Sequence, residues 1–493
     1  MRLLLAIAIC FCTFHGTAVA KDKYKYNFET IETPTDIDRT IDLPDLKPFT
    51  IEAMKEKIPT NTTSGVATMR AMMSVAGLWK YTQGKVWKII QSVHTRSTPK
   101  AIIIESGVMN IEDLTKQIDN PDIIAHDSDG IHYDYIIRRP LYVGSKATLV
   151  LSGDRDKKLR IALAAENGVF ILNRGDTFVL DTHIFSWDEE LNKTLRFKDK
   201  KIFRPFWVSV ANSNTYMGDS IFTDLGYAEV KSYGISLTTD SKASGRPTGW
   251  IINNLFDGVF YGFYSYEADD VVILNNEYKD NIYYGIDPHD RSNRLIIAHN
   301  KTHGTKKRHG IIISREVNDS FIFNNHSFDN FGTGIMLDRS SRNNIVYNNV
   351  SYNNGYYGIA LHESEDNLIA NNTITGNKKD GIRIRNSWNI KLYDNVVLNN
   401  EGLGIDIKTQ NVSSFLRIDP FTMRADADIV GGLVSYNRAG GIRFYKMDRL
   451  SIADVSMPEY NPNAIKGKIS LSDSLILLEK LKHAKGGLIE RDK

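Results

Sequence analysis

A regular alternation of apolar and polar residues dominates the middle of the chain and recurs with a period in the low twenties. Each repeat opens with a glycine, an apolar residue follows, and inward and outward positions then alternate along a short strand. A fixed period of this length, with β-branched runs and Gly/Asn corners, predicts a solenoid of stacked coils. The opening glycines lie 23 to 28 residues apart, at Gly234, Gly262, Gly285, Gly310, Gly334, Gly358, Gly381 and Gly404.

Asparagines keep the same period, nine or ten residues before the next opening glycine. Stacked coils put identical side chains in columns, so these asparagines are expected to form a hydrogen-bonded ladder at a corner. Leucine-rich repeats have similar periods, but their Leu-x-x-Leu-x-Leu spacing is missing here. The pattern therefore predicts an all-β, right-handed parallel β-helix with regular repeats over 234–410. The asparagines are Asn276, Asn300, Asn325, Asn349, Asn372 and Asn395.

Strand parity assigns the two faces of each opening strand. Residues one and three positions after the glycine, such as Ile311 and Ile313, are expected to point into the lumen and form the core. Residues two and four positions after it point outward from one sheet. Coils repeat every ~4.8 Å, about the rise of one sugar in a polymer, so this face predicts a long groove for an extended ligand. Its outward residues include Tyr264, Tyr266, Asp287, His289, Asp338, His362, Arg383, Arg385 and Lys408.

Residues 1–20 have the features of a secretory signal peptide. Arg2 supplies a positive start, an apolar stretch comes next, and Ala18-Val19-Ala20 forms a small-residue cleavage site. The apolar stretch is too short to span a membrane as a stable helix. The mature protein is therefore expected to be exported.

The two cysteines of the chain, Cys10 and Cys12, both lie within that signal. The mature chain is therefore expected to lack disulfides, zinc–thiolate sites and a cysteine nucleophile. No other apolar stretch approaches 18 residues, so no membrane span is predicted. The formal net charge is only +2. Nucleic acid is not an expected partner, and any polyanion must bind to a local patch of charge.

The segments on either side of the repeats are expected to cover the solenoid. Residues 21–99 form an N-terminal lead-in that caps the first coils, with a helix near Thr50 to Lys57 and one or two more between Val66 and Val93. Short β-rich runs begin at Lys100, so the β-helix domain is expected over 100–455. Residues 456–493 form a C-terminal cap, in which a helical pattern begins near Leu471.

One coil breaks the repeat pattern, at Gly285-Ile286-Asp287-Pro288-His289-Asp290. A proline takes the lumen position where neighbouring coils mostly have Ile or Leu, and proline is disfavoured inside a central strand. Asp287 and His289 face outward, ~6.6 Å apart along the strand. A local bulge with a surface histidine would explain this pattern by itself. Local rules are often broken at functional sites, however, and we expect such a site here.

Neighbouring coils supply the other groups that a reaction at this coil would need. Tyr264 and Tyr266 flank it from the coil before, and Arg315 ends the strand of the coil after. A neutral histidine is a suitable base for a proton next to a carboxylate, such as the C5 proton of a uronic acid. An arginine offsets the charge that then develops. Either Asp287 or Asp290 could orient the base.

Two outcomes compete once such a carbanion exists. A proton returned to the opposite face gives epimerisation, whereas loss of the 4-linked group gives β-elimination by a polysaccharide lyase. A non-catalytic polymer-binding scaffold is a third alternative, from a different class of protein. The residues alone do not separate these three functions.

The chain resembles the bacterial periplasmic mannuronan C5-epimerases of alginate biosynthesis. The resemblance covers the signal peptide, the lead-in, the Asp-Pro-His-Asp signature at 287–290 and the coils beyond it. It implies a periplasmic isomerase that converts β-D-mannuronate to α-L-guluronate within the polymer, without calcium or another cofactor. It also implies His289 as the base, Arg315 as the group that neutralises the carboxylate, Asp287 and Asp290 in support, and water as the acid.

The resemblance further implies a polyanionic substrate, polymannuronate or alginate, and other periplasmic alginate-export proteins as partners. Several outward residues are expected to bind flanking uronates, against the alternative of a solvated surface; these are Asp338, His362, Arg383, Arg385 and Lys408. Lys231 and Tyr233 lie just before an opening glycine and are expected to reach the groove, beside Tyr264 and Tyr266. A metal site built from the acids and histidine of 287–290 lacks a second cluster of ligands, so no metal is predicted.

Overall fold

The computed structural model describes residues 25–31, 39–60, 63–75, 77–78, 98–154, 156–200, 202–229, 231–239, 245–412, 421–458, 464–483 and 485–492. The predicted signal peptide lies outside these ranges. So does most of the segment between Val66 and Val93 in which helices were predicted. No helix within the described ranges is long and apolar enough to cross a membrane.

Short strands make up most of the described structure. Those before the regular repeats are β1 (Tyr26–Ile31), β2 (Val66–Ala71), β3 (Lys100–Asn110), β4 (Ile124–His126), β5 (Tyr135–Ile137), β6 (Leu141–Ser152), β7 (Leu159–Ala164), β8 (Phe170–Asn173), β9 (Asp176–Leu180), β10 (Thr182–Trp187), β11 (Phe206–Val210), β12 (Asn214–Gly218) and β13 (Ile221–Thr223).

The regular coils supply β14 (Gly234–Thr238), β15 (Thr248–Ile252), β16 (Leu255–Asp257), β17 (Tyr261–Tyr266), β18 (Val272–Leu274), β19 (Glu277–Lys279), β20 (Tyr284–His289), β21 (Ile296–Ala298), β22 (Lys301–His303), β23 (Ile311–Ser314), β24 (Phe321–Phe323), β25 (His326–Phe328), β26 (Ile335–Asp338), β27 (Ile345–Tyr347), β28 (Val350–Tyr352), β29 (Ile359–His362), β30 (Leu368–Ala370), β31 (Thr373–Thr375), β32 (Ile382–Arg385), β33 (Ile390–Tyr393), β34 (Val396–Leu398) and β35 (Leu403–Lys408).

The remaining strands are β36 (Asp426–Val430), β37 (Leu433–Ser435), β38 (Gly440–Tyr445), β39 (Arg449–Ala453), β40 (Ile465–Lys466) and β41 (Gly486–Arg491). The α-helices within the described ranges are α1 (Ile51–Glu56), α2 (Ile111–Ile118) and α3 (Leu471–Lys482), and a short 3₁₀ turn lies at Met72–Ser74.

The strands stack in three parallel sheets, one on each side of the solenoid. The first sheet stacks β8, β11, β14 and every third strand to β38, and the second stacks β9, β12, β15 and every third strand to β39. The third runs from β5 and β7 through β10 to β37. The long strand β6 turns a corner, since its first residues pair with β8 and its last residues with β9. The predicted right-handed parallel β-helix is confirmed.

The lumen holds the hydrophobic core that strand parity predicted. Ile311, Ile335, Ile359 and Ile382 occupy the same place in successive coils and are fully buried. The buried cluster to which they belong extends from the first coils to the C-terminal helix. Burial of apolar surface contributes about 25 cal/mol per Å². This continuous core therefore stabilises the described coils along the length of the stack.

The predicted asparagine ladder is present at a buried corner. Each side-chain amide from Asn276 to Asn372 donates to the amide oxygen of the asparagine in the next coil, at 3.0 Å. A second ladder, from Asn330 to Asn437, was not predicted and forms in the same way. A buried amide is costly unless it is hydrogen-bonded, and stacking gives each amide its partner one coil away.

Residues 25–60 of the N-terminal lead-in, where described, run along the side of the solenoid, and residues 66–71 pair with its first coils. Strand β1 pairs antiparallel with β41 at the C-terminal end, and Arg39 forms an ion pair with Asp394 at 2.7 Å. The predicted helix near Thr50 is confirmed as α1, whose Ile51 and Met54 pack on the second sheet near its other end. The lead-in therefore spans much of the solenoid's length.

The two ends of the solenoid are closed by different elements. Helix α2, which was not predicted, buries Ile111 and Leu114 against the first coils. The helices predicted after Val66 are wrong for 66–71, because those residues form β2, antiparallel to β3. Pairing there satisfies the otherwise open edge of β3. At the other end α3 packs Leu477 into the core, and β41 runs antiparallel to β39, which ends the parallel ladder.

Candidate active site

The predicted groove is the outer face of the first sheet, from β14 to β38. Its functional coil is β20, which lies between β17 and β23. Tyr264 is paired with Asp287 and Tyr266 with His289, as the stacked columns predict. On the other side the ladder pairs Ile286 with Ile311 and His289 with Ser314, and skips the two residues between them. Pro288 cannot donate to the ladder, so regular pairing is interrupted at this coil.

A turn in the left-handed backbone region follows strand β20 and positions the charged side chains of the site. Asp290 and Arg291 have φ of 39° and 59°, and Arg315 in the next coil has φ of 65°. The Ser292 hydroxyl donates to the carbonyl oxygen of His289 at 2.9 Å, which ties the turn to the strand. The Arg315 guanidinium lies 2.6 Å from a carboxylate oxygen of Asp290. The predicted cation and one predicted carboxylate are thus a directly contacting pair.

His289 lies between two carboxylates. Its Nε2 atom is 3.2 Å from Asp290, and its Nδ1 atom is 3.7 Å from Asp287, which exceeds a hydrogen-bond distance. Nδ1 is buried and has no hydrogen-bond partner among the described residues. The side chain as a whole is 22% exposed. The structure therefore brings together His289, Arg315, Asp287 and Asp290, the four residues predicted for catalysis.

Asp287 is not open to solvent, although it was predicted to line the groove. It is only 4% exposed, because the tyrosines of the preceding coil cover it. Burial raises the pKa of the Asp287 carboxyl above its ordinary value, and the nearby His289 and Arg339 oppose that rise. A buried ionised carboxylate is costly, so this position is retained at the expense of stability.

Asp287→Asn is expected to increase the free energy of unfolding at neutral pH and to lower activity. A folded-state pKa above the ordinary 3.8 means that Asp287 favours folding at low pH and that this contribution is lost as the pH rises through the raised pKa. The neutral amide lacks this loss, so the free energy of unfolding of the variant relative to the parent should be higher at pH 7 than at pH 4. Urea unfolding at both pH values measures it.

Asp319→Asn is the control for this prediction, since Asp319 is exposed on a bend. It should change the unfolding free energy equally at pH 4 and pH 7. A variant at Asp287 that becomes less stable than the parent as the pH rises would show that the carboxylate stabilises the fold.

A cluster of tyrosines surrounds the functional coil. Tyr233 stacks on Tyr261 at 4.5 Å between ring centroids and meets Tyr264 edge-on at 4.9 Å. The Tyr264 and His289 ring centroids are 6.2 Å apart. Burial, and then the charge of Asp287, raise the pKa values of Tyr261, Tyr264 and Tyr284. These phenols stay protonated at neutral pH and can act only as neutral donors or acceptors.

Sequence reasoning missed three members of this site. Tyr261, Tyr284 and His309 each stand directly before an opening glycine, in a column that was not assigned to the groove. Tyr284 lies 5.8 Å from His309 between ring centroids. Burial lowers the pKa of His309 to about 4, and its Nδ1 atom accepts from the backbone N–H of Thr333 at 2.9 Å. His309 is thus a neutral, fixed ring. The signal that could have found it is the repeated aromatic residue before the coil openings.

Arg339 is a further missed residue, one coil beyond Arg315. It contacts the predicted subsite residue Asp338 at 3.0 Å and donates to the Ser314 hydroxyl at 3.0 Å. Burial raises the pKa of the Asp338 carboxyl, and Arg339 opposes the rise. Arg315 and Arg339 therefore place two guanidiniums, one coil apart, along the same side of the groove.

Two of the predicted subsite residues farther along the groove, Arg383 and Arg385, are already paired with acidic side chains. Arg385 makes a two-point contact with Glu363 at 2.9 and 2.7 Å. Arg383 contacts Asp380 at 3.0 Å. Burial, and then the arginines, lower the pKa of His362 well below its ordinary value, so its ring is neutral. These residues form an ordered, charged surface, while their role in binding stays a prediction.

On the other side of the functional coil, Lys231 reaches the groove as predicted. Its ammonium lies 3.0 Å from the centroid of the Tyr266 ring and donates to the Thr238 hydroxyl at 3.0 Å. The Arg291 guanidinium lies 6.0 Å from the same ring. Within the described ranges no group of three His, Cys, Asp or Glu side chains could hold a metal ion. The acids and histidine of 287–290 do not form such a group either.

The fold and the site together define a class: a right-handed β-helix protein with a groove on one parallel sheet, and a cluster of one histidine, two carboxylates and one arginine near the N-terminal end of that groove. The family model described as "Right handed beta helix region" matches residues 233–365. A second model, described as "Periplasmic copper-binding protein (NosD)", matches residues 339–417. Both matches overlap the described stacked coils.

Similar proteins place the chain within this class. It is 41% identical over 426 residues to a mannuronan C5-epimerase of Pseudomonas putida, covering 84% of this chain and 80% of the relative. It is 42% identical to the Pseudomonas aeruginosa mannuronan C5-epimerase, covering 81% of this chain and 74% of the relative. The crystal structure of the periplasmic alginate epimerase AlgG superimposes with a TM-score of 0.77 at 37% identity, covering 85% of this chain and 99% of that chain.

The chain belongs to the mannuronan C5-epimerase family. The family predicted from the Asp-Pro-His-Asp signature is confirmed, and so is the periplasmic location.

Proposed function

We propose that this protein is an isomerase that converts mannuronate to guluronate residues within alginate by exchanging the proton at C5. The observation that carries the proposal is the contact set of one histidine, two carboxylates and one arginine on the outer face of the groove. Family membership supports the same reaction. The groove face extends over many coils, which suits a polymer better than a monosaccharide.

His289 is the base in this mechanism. Its buried Nδ1 atom faces Asp287, so Nε2 is the nitrogen that a substrate in the groove can reach. Nε2 lies 3.2 Å from the Asp290 carboxylate, so the substrate must displace that contact. With the proton then held on Nδ1, toward Asp287, Nε2 has a lone pair for the C5 proton. Asp287 and Asp290 then stabilise the imidazolium that forms. Catalytic contacts often tighten only when substrate binds, which applies to the 3.7 Å between Nδ1 and Asp287.

Arg315 neutralises the carboxylate of the reacting sugar. Removal of the C5 proton spreads a second negative charge into that carboxylate, and a guanidinium aimed at it lowers the barrier. Arg315 now contacts Asp290, so the substrate carboxylate would share or replace that contact. Reprotonation from the opposite face completes the epimerisation, with water as the acid. The phenols of Tyr264 and Tyr284 serve as neutral hydrogen-bond donors beside it.

Incubation of the mature protein with polymannuronate tests the proposal. Epimerisation produces new guluronate H-1 signals in the NMR spectrum, without new chain ends. A polysaccharide lyase would instead raise the ultraviolet absorbance as unsaturated ends form. The appearance of neither signal would leave a polymer-binding scaffold as the function. Contacts with other alginate-export proteins stay a prediction.

A further inference from the structure

The groove ends, on its C-terminal side, in a pocket of about 410 Å³ that the proposed reaction does not use. This volume lies within the range of small-ligand sites. We call it the distal pocket, and define it by the residues Lys408, Arg443, Tyr445, Lys466 and Lys468. It is built from the last residues of β35, from β38 and from the segment that begins with β40.

The distal pocket stands in the same column as the base, at a definable distance. Six steps of strand pairing connect them, and each step is in register: from His289 to Ser314, Asp338, His362, Arg385, Lys408 and Tyr445. At ~4.8 Å per coil, Lys408 is ~24 Å and Tyr445 ~29 Å from His289 along the groove.

Positive charge accumulates around the distal pocket. Arg383 and Arg443 both contact the carboxylate of Asp406 at 2.7 Å, and Asp406 is fully buried. One carboxylate thus serves two guanidiniums, and Lys408 adds a third cation at 3.9 Å from it. Asp380 contacts Arg383 as well. The cluster therefore holds three cations, Arg383, Arg443 and Lys408, against two carboxylates. Lys466 and Lys468 on the pocket wall add two more cations.

The surroundings of Lys408 and Lys466 are consistent with an excess of positive charge around the distal pocket. The pKa of Lys408 is lowered, first by burial and then by the nearby Arg383. The ammonium of Lys466 donates to the carbonyl oxygen of Ala439 at 2.7 Å, which is a neutral acceptor. A carboxylate entering the pocket would reduce the repulsion between these cations.

The distal pocket also has an aromatic wall. Tyr445 is 39% exposed, and its ring offers a flat apolar face beside the cations. The combination of a ring face and cations matches a uronate, which has an apolar ring face and one carboxylate.

We propose that the distal pocket is a subsite for a uronate residue five to six sugars away from the reacting sugar, and that it makes the enzyme prefer long chains. The proposal rests on the proposed function, since it assumes that the polymer lies along the groove with about one sugar per coil. A chain of fewer than about seven residues cannot reach from His289 to the distal pocket. Longer chains gain the additional contacts.

Oligomannuronates of about four to about fourteen residues test this subsite. For the parent protein, kcat/KM should rise stepwise once the chain exceeds about seven residues. The double variant Lys466→Glu/Lys468→Glu should lose that step, which lowers kcat/KM for the longest oligomers about tenfold, or about 1.4 kcal/mol. For the shortest oligomers, the kcat/KM of the double variant should approach that of the parent protein. Guluronate H-1 signals measure turnover, and calorimetry measures Kd for the same oligomers.

The control is Lys116→Glu/Lys193→Glu, which makes the same change in net charge at the opposite end of the solenoid, where both lysines are exposed. This control variant should still show the stepwise rise in kcat/KM near seven residues. The proposal is wrong if the parent shows no step near seven residues, if the distal variant keeps it, or if that variant loses activity equally at all lengths. If no oligomer is epimerised, the proposed function fails, and the step in Kd still decides whether the subsite exists.

Discussion

Replacement of His289 by alanine is expected to abolish epimerisation while the protein stays folded. General-base catalysis contributes about 10²- to 10⁴-fold, and no other imidazole lies within contact of Asp287 and Asp290 among the described ion pairs. The loss should fall on kcat, because the side chain acts on the C5 proton and contributes little to binding of the polymer. The NMR assay for guluronate measures the rate, and circular dichroism checks the fold.

His326→Ala is the matched control for that prediction. His326 is exposed on β25 of the third sheet, away from the groove, so its replacement should leave the rate unchanged. If His289→Ala retained more than about a tenth of the parent's kcat, the base would have to be a different group, and the tyrosines beside Asp287 would be the next candidates.

Replacement of Arg315 by alanine is expected to lower kcat/KM by about 10²- to 10³-fold, comparable to the loss of one preorganised donor at a developing charge. Arg315→Lys keeps the charge but loses the planar fork that fits a carboxylate, so it should recover only part of the activity. Arg315 also pairs with the buried Asp290. Unfolding in urea must therefore be measured for both variants, to separate catalytic loss from loss of stability.

Arg342→Ala serves as the control, because Arg342 is on a nearby turn and contacts Glu365 at 3.0 Å with its side chain 44% exposed. Arg342 lies outside the functional coil and contacts neither His289, Asp287 nor Asp290 among the described ion pairs, so activity should not change. A variant Arg315→Ala that kept its parent's kcat/KM would show that another cation, Arg339 first, neutralises the substrate carboxylate.

Strand parity predicted most of the groove correctly, because the alternation of faces is a local property of extended backbone. Ile286 is fully buried in the lumen, and Asp287 and His289 leave the strand on the other face. Parity did not predict that Asp287 is covered. The cover comes from Tyr264, one coil earlier in the chain, and its extent depends on how the tyrosine rings pack against one another.

The column before the opening glycines shows a second limit of parity. Tyr261 and Tyr284 stand two positions before an inward residue, so strict alternation would put them in the lumen. The ladder between β14 and β17 shifts register between Gly234 and Ser236, and the pairing of β17 with β20 skips the opening glycines. The irregularity turns these tyrosines toward Asp287, whose charge contributes to their raised pKa values.

The amino-acid sequence by itself determined the coil period, the lumen residues, the first asparagine ladder and the position of the coil that departs from the repeat at Asp287-Pro288-His289. Each of these depends on spacing along the chain and on the stacking of equal coils. Only the tertiary structure decided that Arg315 pairs with Asp290, that the lead-in runs along the side of the solenoid, and that Arg383 and Arg443 share Asp406. Each of these arginines could reach more than one carboxylate, and burial and the neighbouring charges decide which ion pair forms. The path of the lead-in depends on strand pairing between distant parts of the chain, which spacing along the chain does not specify.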